Sequence, residues 1–137
     1  MSILRVLIVA LAFVVSGVAA TPEIEDAEVA TELVRALQGH MISTFACQNF
    51  LGGLGRYRAA KRLAVETHVS LTNDRNAAVL AVAKFEKQIK ATKSNERMVE
   101  KFKKMNLSYL DSVGTCEDLT AQTYGEVEVL QARLGLL

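Results

Sequence analysis

The sequence predicts an all-α fold, a small bundle of four to five helices behind a cleaved signal peptide, cross-linked by one disulfide. Three observations carry this. Apolar residues recur at helical spacing through most of residues 21–137. No segment sustains strand alternation, and the one proline, Pro22, stands at a helix start. Cys47 and Cys116 are the only two cysteines.

The leader sets the compartment. Arg5 is the only charge before Glu23, every residue from Val6 to Val15 is apolar, and Ser16-Gly17 breaks the run before Val18-Ala19-Ala20. That is the order of a secretory signal, with cleavage after Ala20 or, second, Ala19. The competing reading is an uncleaved anchor, since Ile3 to Ala20 is 18 residues, just enough to span a bilayer. The small residues at its end favour cleavage. The signal is short and simple, which points to a bacterial periplasm rather than a eukaryotic secretory route. Residues 21–137 then form a single helical domain.

The helices follow in order. Thr21-Pro22-Glu23 starts the first, with Glu23, Glu25, Asp26 and Glu28 loading its positive dipole end. Its predicted inner stripe is Ile24, Ala27, Ala30, Val34, Leu37, Met41 and Phe45, with a bend allowed at Gly39. Gly52-Gly53-Leu54-Gly55 interrupts it. A second helix is predicted from Leu54 to Leu71, with Leu63, Ala64 and Leu71 inside, before a turn and cap at Thr72-Asn73-Asp74. A third runs to about Lys90 on Ala78, Val82, Phe85 and Ile89. A fourth, capped by Ser94 or Asn95, carries Val99, Phe102, Met105, Tyr109 and Val113 and ends at Gly114. Thr115-Cys116-Glu117-Asp118 starts the last, whose stripe is Cys116, Leu119, Thr123, Val127, Leu130 and Leu134.

In an oxidising compartment two cysteines without others argue for one structural bridge. It would pin the end of the first helix to the last one across about seventy residues, a loop whose closure is worth roughly 4 kcal/mol in the chain-entropy account.

Charge is segregated. Residues 21–50 carry a net −4, residues 51–104 a net +8 and residues 105–137 a net −4. Either the acidic terminal helices neutralise the basic middle, or the middle is a recognition surface. Arg56, Arg58, Lys61 and Arg62, in the densest basic stretch, are the candidate residues for such a surface, and Lys101, Lys103 and Lys104 form a second stretch. Export and the zero net charge after residue 20 argue against nucleic acid as the partner. An acidic protein fits, and membrane contact would come only through an uncleaved signal or peripheral charge.

No catalytic constellation emerges. His40 and His68 stand apart from any Cys-x-x-Cys-His haem motif or zinc-ligand spacing, so neither a cofactor nor a metal is predicted, and both read as surface or half-buried histidines. No serine sits in a nucleophile elbow. The Gly52–Arg56 segment lacks the Lys-Ser/Thr and the preceding strand of a phosphate loop, and reads as a turn.

Phe45-Ala46-Cys47-Gln48-Asn49-Phe50-Leu51 resembles the Cys-x-x-Phe-Leu segment of small periplasmic acid-stress chaperones. The resemblance covers seven residues and implies a helical periplasmic protein with one disulfide, although the gap to the second cysteine is longer here. Small periplasmic immunity proteins share the overall shape. The sequence therefore predicts a non-enzymatic exported protein that binds another protein, as an inhibitor, immunity factor, chaperone or regulator. The alternative is a carrier with a small molecule or haem inside the bundle.

Overall fold

The computed structural model describes residues 22–137, so the readings of the leader lie outside the described residues. Five helices follow one another: α1 Pro22–Ala46, α2 Gly55–Thr72, α3 Arg75–Ala91, α4 Ser94–Lys104 and α5 Tyr109–Arg133, with no strand among the described residues.

The turns explain these bounds. After α1, the Gly53 amide donates to the Gln48 carbonyl, and Gly52 and Gly53 adopt φ of 79° and 106°, conformations that only glycine enters without strain. Asn73, left-handed at φ 55°, closes α2 through its amide to Val69, and the Asp74 carboxylate then accepts from the Ala77 amide to cap α3.

Two boundaries differ from the sequence reading. The fourth helix does not run to Gly114. Left-handed Asn106 breaks it after Lys104, and the Ser108 hydroxyl caps a new helix by accepting from Asp111. Met105 and Tyr109, expected inside, are therefore exposed, and Cys116 lies well inside α5 rather than opening it. Gly114 and Gly125 are both interior to that helix. Neither Ser94 nor Asn95 caps α4, because Ser94 already belongs to it and its Oγ is buried without a partner.

Helix α1 is the spine. It contacts all four other helices, most extensively its antiparallel neighbour α5. Of its predicted inner stripe, Leu37, Met41 and Phe45 are buried as expected, and the first half is shifted. The buried residues are Val29, Leu33, Leu37, His40, Met41, Ser43, Thr44, Phe45 and Ala46, whereas Ala27 is exposed and Val34 half-buried. Leucine, not alanine, marks the inner face, since a larger apolar side chain gains more from burial. The main core joins Leu33, Leu37, Met41 and Phe45 of α1 with Tyr57, Ala60 and Ala64 of α2, Val82 and Ile89 of α3 and Val127 of α5. The small side chains of Ala60 and Ala64 leave room for α2 to approach this core closely. A second cluster holds Cys47, Phe102 and Cys116, with Phe50, Leu51 and Leu119 against it.

Candidate functional site

The Cys47 and Cys116 sulfurs lie at disulfide distance, 2.10 Å apart with Cα atoms 5.7 Å apart, and both residues are fully buried. This places the Cys-x-x-Phe-Leu segment: Cys47, Phe50 and Leu51 all belong to the second core cluster, with Phe50 against Phe102. The pair joins α1 to α5, as the sequence reading expected.

The four basic candidates separate. Arg56 turns towards α5 and forms a two-pronged ion pair with Glu117, 2.5 and 2.7 Å. Lys61 turns the other way, donating to Glu86 of α3 at 3.0 Å. Arg58 and Arg62 are exposed and form no ion pair among the described residues. Arg58 and Lys61 share a groove of about 460 Å³ with Phe45, Leu54, Tyr57 and Lys90.

Glu86 organises this groove. Its carboxylate accepts from the Tyr57 hydroxyl at 2.8 Å and from Lys61, and Lys90 stands 3.8 Å away. Burial alone would raise the Glu86 carboxyl, but the hydrogen bonds from Lys61 and Tyr57 and the two cations bring it below its ordinary range. Burial and the same carboxylate push the Tyr57 hydroxyl up. Tyr57 is buried against Phe45, so the groove floor is part of the core. Sequence reasoning did not find Glu86, Lys90 or Tyr57. The available signal was the turn at Asn73: in an antiparallel helix hairpin, residues nearly equidistant from the turn, such as Lys61 and Glu86, meet.

Charge segregation persists in space. Three of the ion pairs among the described residues lie within the basic middle, two on Glu86 and one between Arg75 and Glu66, and Glu32 pairs with Arg133 within the acidic helices. Among the described residues, only Arg56–Glu117 joins the middle to a terminal helix.

A second site lies between α1 and α5. His40 is buried rather than at the surface, and its Nδ1 meets Thr123 Oγ1 at 2.8 Å, with Ser43 Oγ 2.9 Å further along. Tyr124 packs on the imidazole with ring centroids 5.6 Å apart. His40, Thr44, Arg56, Glu117, Thr120 and Tyr124 line a cleft of about 270 Å³. His40 Nε2 has no hydrogen-bond partner among the described residues, and it is not among the buried orphaned atoms.

Burial lowers the affinity of both His40 and His68 for a proton below their ordinary 6.5. The unfolded chain therefore takes up protons first as pH falls, so stability is intact above about 6.5 and declines below it towards the folded values. Glu86 adds a loss at lower pH, as its depressed carboxyl is finally protonated. Thermal melts across this range should show the decline, and His40→Gln with His68→Gln should flatten the part nearest neutrality.

Among the described residues no group of three His, Cys, Asp or Glu side chains could hold a metal ion, and no helix is long and apolar enough to cross a membrane. No family model matches the chain, and no curated protein or solved structure was found similar to it.

Proposed function

We propose that this protein is exported to the periplasm and acts without catalysis, capturing an acidic protein partner through the α2–α3 groove. The observation that supports this most directly is the groove's charge. Lys61 and Lys90 share one carboxylate, Glu86, and Arg58 borders the same groove unpaired, over a floor of Phe45 and Tyr57. A cationic rim over an aromatic floor suits an acidic peptide segment that also carries an apolar side chain. Little of the surplus charge is paired within the molecule, since among the described residues one ion pair reaches the acidic helices. The leader and the cysteine pair support export, because disulfides persist in oxidising compartments.

The exposed, unpaired arginines allow a clean test. Arg58→Glu with Arg62→Glu should leave the melting temperature within about 1 °C, because exposed charges contribute little to folding. Capture of partner from an envelope extract should fall steeply at low salt and much less at high salt, where screening already weakens the wild type. Unaltered capture at every salt concentration would overturn the reading. So would a marked loss of stability, which would make these charges part of the fold.

A second reading, a small-molecule carrier, is favoured by one observation: the unpartnered Nε2 of a buried histidine beside a cleft. Its size suits a small ligand. An absorbance spectrum and native mass of protein purified from its own host separate the two readings. A coloured or mass-shifted protein indicates a carrier, and a clean mass with a co-purifying polypeptide indicates a binder.

A further inference from the structure

The antiparallel pair α1/α5 is covered on one side only. Leu33, Leu37, Met41 and Val127 face the other helices. On the opposite side Arg35, Gly39 and Ile42 follow one another at helical spacing along α1, and on α5 Val129 stands at helical spacing from both Gly125 and Glu126. Arg35, Gly39, Gly125, Glu126 and Val129 border a groove of about 620 Å³ that also takes in Ala36 and Leu130, with Ile42 just beyond it on the same side of α1. Val129 is 62% exposed and Ile42 44% exposed.

The two glycines have no explanation inside the molecule. Each costs about 1 kcal/mol in a helix interior relative to alanine. A Cβ at Gly39 or Gly125 would meet nothing within 4 Å, so neither is needed for α1 and α5 to pack on each other. The room left by the missing side chains lies on the outer face.

The charges of the groove indicate what approaches. Arg35 and Glu126 form no ion pair among the described residues, while Glu32 is held by Arg133 at 3.9 Å. The border therefore carries opposite charges over an apolar centre, and a surface of that kind is complementary to itself. The described residues, with Arg5 outside them, carry 15 basic and 15 acidic groups, so two copies do not repel through net charge.

We propose that a second copy of this chain covers this face. A two-fold axis parallel to the helices sets α1 of one copy over α5 of the other. The result is a four-helix bundle of antiparallel neighbours, with Gly39 against the partner's Gly125 and Arg35 within reach of the partner's Glu126. Two helices of 25 residues present a strip roughly 37 Å long and about 20 Å wide. That is on the order of 700 Å², close to the roughly 800 Å² per partner that stable interfaces bury. The surface is separate from the α2–α3 groove, so this inference does not rest on the proposed function.

Sedimentation equilibrium of the full chain purified from its host gives the test. The wild type should sediment as a dimer at micromolar concentration. Val129→Glu should make it a monomer with an unchanged helical circular dichroism spectrum. Arg35→Glu should weaken dimerisation at least tenfold, and adding Glu126→Arg to the same chain should restore it to within a few-fold. The rescue separates a lost contact from a lost fold. A wild type that stays monomeric up to about 100 µM, well above the concentrations at which specific dimers form, overturns the proposal. A dimer indifferent to Val129→Glu, or to the charge reversal and its rescue, overturns it equally by placing the interface elsewhere.

Discussion

Replacing Cys47 and Cys116 together by alanine should lower the melting temperature by roughly 15 °C. The residues are 69 apart in sequence, and freeing a loop of that length gives the unfolded chain conformational entropy worth about 4 kcal/mol. In a protein of this size each kcal/mol moves the midpoint by about 4 °C. The local packing sharpens the expectation. Both sulfurs are fully buried beside Phe102 and Phe50, in a cluster separate from the main core. Each single substitution already opens the loop, so the double variant should be no worse than either single one. Differential scanning calorimetry of the three variants checks this. Two thiols that label freely in native protein taken from its own compartment would show that the bond does not form there.

Leu33→Ala should cost about 3 kcal/mol, and Val34→Ala only about 1 kcal/mol. Leu33 has no exposed surface and packs in the main core, whereas its neighbour Val34 is half-buried. Removing three carbons from a closed site loses their transfer free energy and leaves a cavity that rigid neighbours on α1 and α5 refill only in part. Urea denaturation of both variants decides which face of α1 is inside. Equal effects would mean that the helix is turned between the two registers.

The contrast at Leu33 and Val34 also shows what periodicity conveys. The helical class, the breaks at Gly52-Gly53 and Asn73-Asp74, and the core faces of α3 and the later part of α5 were legible, because glycine, asparagine and aspartate have specific backbone roles. The inner face of α1 was legible from Leu37 through Met41 to Phe45 but not before, because two apolar tracks lead into Leu37: Ala27, Ala30 and Val34 trace one, and Val29 and Leu33 the other. Period alone cannot choose between them; burial of the leucines does. The break after Lys104 was missed because apolar spacing continues through it, and the local chemistry of Asn106 and Ser108 outweighs that spacing. The basic candidates were identifiable as charges, but their separation was not. Neighbours on one helix, Arg56 and Lys61 reach opposite flanks, and their partners Glu117 and Glu86 are brought to them by tertiary structure.

The Cys47–Cys116 link also decides how the molecule bears mechanical load. Tension applied between the two ends of the chain enters through α1, crosses the sulfur bridge and leaves through α5. Helices α2, α3 and α4 hang on a closed side loop outside that path. About 240 Å of potential extension, the reach of 69 residues at roughly 3.5 Å each, is thereby withheld from the pulling force. The segment that carries the basic groove keeps its tether at both ends even when the outer helices are drawn apart, and a backbone cut in the turns around Asn73 or Lys93 would leave the two pieces covalently joined.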